Sequence, residues 1–463
     1  MAIELYNTDA FRLLQNMKII NSNYLIQQII IWVAVILLLL KLELFSQTPV
    51  ELQKKVDEIR KEIVEIRGLK FKRPVRVMNQ SLEDFGKYLD AIIEKQMPEK
   101  RLKHYGKVVK MLGLYRGPEL KDFKSMAKTI MQSQAAAYYD PASETFYVVM
   151  QKLPEYMLNS VYAHEIYHGL QDQYFDLDTY LLSQAQGKLN DDELLARQSV
   201  VEGEATYIMT LWTVKKLFGS IPEPSLLQMT INMQTQMDVS KILDMLKSGV
   251  VSQLQQGDLD TAIKAMEKIP RFLIETLVGA YLKGMGFIFE IQKQGWQKVQ
   301  NLYTNPPNST EQILHPEKWL AGEQPYMFEW PSFKNNALFA DWVLLEENTI
   351  GEIQWRIIFA EYDFAQIGKA ASAGWNGDLY AVFKNKNGKH LLLLLYTSWD
   401  SEEEAQEFNS AYQNLLRVKY PDGINNVKVK VIDKDVLIVE GGDEGSLDDL
   451  LNFMKKISPS IRD

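Results

Sequence analysis

The chain has 463 residues, 46% hydrophobic and 24% charged, with net charge -9, a pI near 5.4, five histidines and no cysteine. That length predicts two or three domains with true apolar cores, and the acidic balance excludes the clustered basic face of a nucleic-acid binder. Without cysteine there are no disulfides, thiolate ligands or cysteine nucleophiles, so any metal site must draw on few histidines plus carboxylates.

Residues 25–45 contain an unbroken apolar run from Ile29 to Leu40. A membrane-crossing helix needs about 20 mostly apolar residues, so this one would have to recruit Leu25, Ile26, Leu42 and Phe45. The apolar core of a signal peptide, about 7–15 residues, matches it more closely. A start at Met17 would place basic Lys18 ahead of that core and Ser46 at a cleavage point. Residues 1–48 are therefore expected to form a signal-like or membrane-spanning leader, leaving the protein membrane-anchored or exported to the cell envelope or beyond. The lysines that follow, among them Lys41, Lys54 and Lys55, favour the opposite orientation.

Pro49 to Arg67 reads as an amphipathic helix, with Leu52, Val56, Ile59, Ile63 and Ile66 at helical spacing. Pro74 to Val77 reads as a short strand. A helix over Ser81–Gln96 opens on a capping pattern, and further helices run to Gln134 with breaks near Gly113 and Gly117. Aromatic and β-branched runs on either side of Asp140-Pro141-Ala142-Ser143 predict a β-hairpin within Ala135–Met150. Leu153-Pro154 opens the next helix, over Tyr156–Tyr174, and others follow at Asp191–Phe218, Pro224–Gly257, Asp258–Lys268 and Ile274–Gln294. Thr304–Leu320 reads as a proline-rich turn and a short capped helix. From about Gln324 the pattern turns β-rich, with strands at Trp342–Leu345, Gly377–Phe383, His390–Tyr396 and Val427–Val439, interrupted by helices at Ser401–Val418 and Ser446–Ile457. The expected fold class is α+β, with a mostly helical domain over 49–323 containing a small hairpin or sheet and a smaller α+β domain over 324–463.

The predicted helix Tyr156–Tyr174 carries His164-Glu165-Ile166-Tyr167-His168, a His-Glu-x-x-His pattern. Residues four apart share a helix face, so both imidazoles can reach one ion while the glutamate points into the same cleft. With histidine this scarce, a chance match is on the order of a few in a thousand. Zinc in such a site keeps an open position, lowers the pKa of its water toward about 7 and polarises a carbonyl. Glu165 is then the general base, passing the proton on to the leaving amine.

A third ligand is required. Tyr174 stands six residues after His168, where a third histidine would be, so a glutamate on a later helix is expected. Val201-Glu202-Gly203-Glu204-Ala205-Thr206 offers two, and residues two apart point about 200° around a helix, so only one can face the ion. Glu202 is chosen; Glu204 remains the alternative, expected behind the ligands or at the cleft edge. For the oxyanion donor the candidates are His315 and Tyr207. Both have plain structural readings, His315 as a cap before Pro316 and Tyr207 as packing.

The stretches His164–Gln173, Val201–Thr206 and Pro306-Pro-Asn-Ser-Thr-Glu-Gln-Ile-Leu-His-Pro316 resemble little-characterised bacterial and archaeal gluzincin-like zinc metallopeptidases, a similarity over roughly residues 70–325. Gly374-Trp-Asn-Gly-Asp378 and Trp399-Asp400 are similar too. The resemblance implies a thermolysin-like, zincin-like plan in which two histidines and a glutamate bind one zinc and an upstream strand lines the cleft. It also implies an acidic residue four positions after the ligand glutamate. Thr206 stands there, so support for a histidine is expected from Asp172 or Glu204 instead. The expected partner is a peptide or protein substrate, with membrane association through residues 25–45. The competing expectation is a scaffold or interaction protein that keeps the metal-site fold without turnover.

Overall fold

The computed structural model describes residues 49–118, 120, 123–134, 136–149, 155–182, 189–237, 269–423, 426–457 and 460–461. The leader expected over 1–48, Leu153-Pro154 and residues 238–268, which include the helix expected over Asp258–Lys268, lie outside them, while the helix expected over Pro224–Gly257 ends at Thr235 with Gln236 as its C-cap.

Helix α1 (Pro49–Arg67) buries Leu52, Val56, Ile59 and Ile63, the one-face spacing of its sequence, against the body. Each such side chain contributes about 1.5–3 kcal/mol on burial, so a charge at Ile63 would detach the helix. Strand β1 (Arg76–Asn79) runs parallel to β3 (Thr145–Val148), which pairs antiparallel with β2 (Ala137–Asp140). The order β1-β3-β2 leaves β2 at the edge. Between these strands lie α2 (Leu82–Gln96), capped by Ser81, α3 (Glu99–Leu112), ended by left-handed Gly113, and α4 (Phe123–Gln134).

Three long helices follow: α5 (Glu155–Phe175), α7 (Asp191–Phe218) and α9 (Arg271–Gln292), with the short α6 (Leu177–Leu182) and α8 (Pro224–Thr235) between. A reciprocal Asn190/Glu193 capping box starts α7 and left-handed Gly219 ends it. Helices α7 and α9 touch backbone to backbone at two glycines. A Cβ on Gly203 would lie 2.2 Å from the Gly284 carbonyl carbon, and one on Gly284 would lie 2.1 Å from the Ser199 oxygen. Among the described residues α9 is the one helix long and apolar enough to cross a membrane, yet 61% of its apolar window is buried in this packing.

After α10 (Trp296–Gln300) the proline-rich stretch forms two short helices, α11 (Thr310–Leu314) and α12 (Pro316–Ala321), with His315 between them. In the β-rich part β4 (Tyr326–Met327) pairs antiparallel with β10 (Ser460–Ile461), and a larger antiparallel sheet is built of β5 (Trp342–Asn348), β6 (Trp375–Asn385), β7 (Leu391–Trp399), β9 (Asp435–Glu440) and β8 (Val427–Ile432), in that spatial order. The run expected as strand over Val427–Val439 is a hairpin, turned at left-handed Asp433. Two helices appear that periodicity did not predict, α13 (Gly351–Glu361) and α14 (Ala365–Ala371), alongside the expected α15 (Glu402–Lys419) and α16 (Leu447–Met454). Alternate residues of the sheet face two cores: Val382, Leu393 and Ile438 meet α13 and α15, while Phe383, Leu394 and Val439 meet α16.

The packing does not divide at 324. One apolar cluster joins Val108, Leu195 and Phe272 to Trp355, Ile358 and Phe408. Asp192, at the start of α7, accepts from the Thr310 backbone N–H at 3.2 Å and from its hydroxyl at 2.5 Å. The Asp378 carboxylate accepts from the Ile350 and Gly351 N–H groups and from the indoles of Trp355 and Trp375, at 2.6–3.0 Å. Asp378 of the Gly374–Asp378 motif is therefore a buried fastener of α13 to the sheet.

Candidate metal centre and cleft

Helix α5 places His164 and His168 one turn apart, and α7 crosses it so that Glu202 meets both rings. The two Nε2 atoms are 3.1 Å apart, and Glu202 Oε2 lies 3.1 Å from His164 Nε2 and 3.4 Å from His168 Nε2. The side chains are 6%, 11% and 26% exposed in the order His164, His168, Glu202, so the glutamate edge opens to the cleft. Four-coordinate zinc with ligand bonds of about 2.0–2.1 Å spaces its donors about 3.3 Å apart. The triangle has that size. Burial opposes charge on His168 and Glu202, but proximity prevails: the Glu202 carboxylate raises His168 to about 9, and the histidines hold Glu202 well below the usual carboxylate range. A cation entering here therefore competes with a proton.

His168 is oriented from behind. Its Nδ1 is 2.8 Å from Gln171 Oε1, which leaves Nε2 as the lone-pair nitrogen when Nδ1 carries the proton. Gln171 in turn donates to the Val201 carbonyl, to Glu204 and to the Tyr303 hydroxyl. Glu204 is fully buried; it accepts from Arg67 Nε at 2.9 Å and from Tyr303 at 2.6 Å, while Arg67 also donates to Tyr167 and lies over Trp296. Glu204 thus stands behind the candidate ligands and meets Gln171, which bonds His168. Asp172 takes no part in this support, since it accepts instead from the Tyr139 hydroxyl and from the Leu177 N–H. Among the described residues His164 Nδ1 and the Thr206 hydroxyl, both buried, have no partner.

Glu165 comes off the same helix toward β2. Its Oε2 accepts from the Tyr139 backbone N–H at 3.0 Å, and burial, opposed by the two histidines, pushes its carboxyl up. Since Tyr139 N–H turns away from β3, Ala137, two residues earlier, presents its backbone groups to the same free edge.

The oxyanion candidates are corrected. His315 is held by Glu352 at 3.1 Å and lies near Glu317. Tyr207 is 2% exposed, with its ring against Phe289 and Trp296; five residues beyond Glu202 is about 140° further round the helix, which turns it into the core. Tyr281, which sequence reasoning missed, is the aromatic residue at the triad. Its ring stacks on His164 with centroids 5.5 Å apart, and the carboxylates of Glu202 and Glu165 act on its hydroxyl. Burial, then the carboxylates of Glu202 and Glu165, push that phenol well above its ordinary value, so it remains a donor.

A second gathering of carboxylates, Glu311, Glu323 and Asp400, already holds a cation, the ammonium of Lys318. Among known proteins, a family model described as a domain of unknown function, DUF8575, matches residues 343–451. Comparison with curated proteins gives no match. Comparison with solved structures gives none either.

Proposed function

We propose that the chain is a zinc-dependent metallopeptidase with a zincin-like arrangement over 49–323, in which His164, His168 and Glu202 hold one zinc. The observation that carries this reading is the convergence of two imidazole nitrogens and one carboxylate at zinc-donor spacing, with the Glu165 carboxylate on the same helix turn. Bound zinc would supply Lewis acidity and a water of lowered pKa. Glu165 takes the proton of the attacking water and returns it to the leaving amine. Tyr281 donates to the oxygen that gains charge as the carbonyl is attacked. The edge of β2 at Ala137 pairs with the substrate backbone, so an extended peptide fits the cleft.

Glu165→Gln tests this reading, because it keeps the ligands and removes the base. Wild type should bind one zinc per chain and cleave unstructured peptides, and E165Q should bind the zinc and cleave nothing. Stoichiometric zinc with no cleavage across a broad peptide library would favour a scaffold instead; no zinc under chelator-free purification would end both. Membrane association through residues 25–45 belongs to the same reading and is checked by fractionating cells that express the chain with and without residues 1–48.

A further inference from the structure

Beside the triad lies a cavity of about 280 Å³, lined mainly by apolar side chains including Ile93, Met97, Val108, Phe123 and Leu195. A cavity of about 150 Å³ lined by such residues already takes up a benzene-sized ring. The cavity's place relative to the triad follows from two helices. On α7, Asp191, Leu194, Gln198 and Glu202 form a partly exposed stripe at helical spacing on an otherwise buried face; the first three line the cavity and the last is the candidate ligand. On α2, Tyr88 stacks on Tyr138 of β2 at 4.4 Å, next to the Tyr139 backbone N–H that meets Glu165. Ile93, further along α2, lines the cavity. The cavity therefore begins about one turn of α7 from Glu202, between α7 and the far end of α2.

At 1.5 Å per residue, Gln198 and Leu194 lie about 6 and 12 Å along α7 from Glu202. An extended peptide advances about 3.3 Å per residue, so the cavity falls two to four residues from the bond above the triad. The charged groups at its edge are already paired: Arg101 bonds Asp191 and, at 2.8 Å, Glu346. That leaves an apolar interior and no free charge for an acidic or basic side chain. We propose that this cavity is a specificity pocket for one large apolar side chain, aromatic or long aliphatic, two to four residues from the scissile bond. The inference rests on the peptidase reading for where that bond lies.

The test walks a single Phe through five positions on either side of the central bond in otherwise Ala- and Gly-based fluorescent peptides. Binding is read by anisotropy on zinc-loaded, full-length E165Q. One position between the second and fourth should bind at least tenfold more tightly with Phe than with Ala or Asp. Ala127→Phe and Gln198→Trp, each added to E165Q at partly exposed positions lining the cavity, should bring that ratio to about one while melting stays cooperative. A flat positional profile, or a preference unchanged in both filled variants, overturns the pocket. If E165Q shows the preference but wild type cleaves nothing, the pocket stands and the peptidase reading falls; if wild type cleaves every peptide alike, the reverse holds.

Discussion

Replacing Gly203 with alanine should separate catalysis from metal binding, because of where the added methyl falls. Its Cβ would lie 2.2 Å from the Gly284 carbonyl carbon, in backbone that has no rotamer to yield, whereas ordinary contact begins near 3.4 Å. Helices α7 and α9 must therefore part by roughly 1 Å, at an overpacking cost of about 1–3 kcal/mol. The three candidate ligands sit on α5 and α7 and keep their spacing. Tyr281 sits on α9, one turn before Gly284, and moves away from Glu202. A misplacement of about 1 Å at a reacting group can cost about 100-fold in rate. G203A should thus hold one zinc per chain, melt several degrees lower and lose about two orders of magnitude in kcat. Gly279→Ala is the control, since on the same helix its Cβ meets only Ile353, at 3.8 Å; it should be neutral or slightly stabilising. Zinc content is read by elemental analysis, stability by calorimetry and kcat on a quenched peptide. A G203A protein with wild-type melting and turnover would refute both the backbone contact and the role given to Tyr281.

Tyr281→Phe removes one hydrogen-bond donor from the cleft and should lower kcat about 100- to 1000-fold with KM and zinc content little changed, as measured by steady-state kinetics. Gln171→Leu takes away the acceptor for His168 Nδ1 and should weaken zinc about 10- to 100-fold in a chelator competition. Asp378→Ala leaves four buried N–H donors unmatched and should destabilise the chain by more than about 3 kcal/mol in chemical denaturation, without changing zinc stoichiometry in protein that remains folded.

The chemistry-bearing pattern was legible because it is local. His164, Glu165 and His168 are ordered by helix periodicity alone, and the angle between residues two apart showed that only one of Glu202 and Glu204 could face the histidines without saying which. The hairpin ahead of α5 and the bounds of α1 and α7 were legible for the same reason: capping residues, turn residues and one-sided apolar spacing. Tyr281 was not, because it approaches the triad from a helix far along the chain. A signal was present in Gly203 and Gly284. A glycine inside a helix costs about 1 kcal/mol against alanine, and two such glycines mark close helix contact, with Tyr281 one turn from one of them. Tyr207 and His315 were chosen for nearness in sequence to motifs, which says little about the side of a helix or the partner, Glu352, that claims an imidazole. Helices α13 and α14 were overlooked because α13 is buried on nearly every side, charged Glu352 included, and α14 is short and rich in alanine; both form against neighbours distant in sequence.

The stretch matched by the family model, 343–451, contributes Trp355, Ile358 and Phe408 to an interior completed by Val108, Leu195 and Phe272. Leu195 belongs to the helix that carries Glu202. The segment that recurs as a family and the body that folds as a unit therefore have different borders in this protein. A substitution at Trp355 or Phe408, inside the matched stretch, therefore presses on the packing of the helix that carries Glu202.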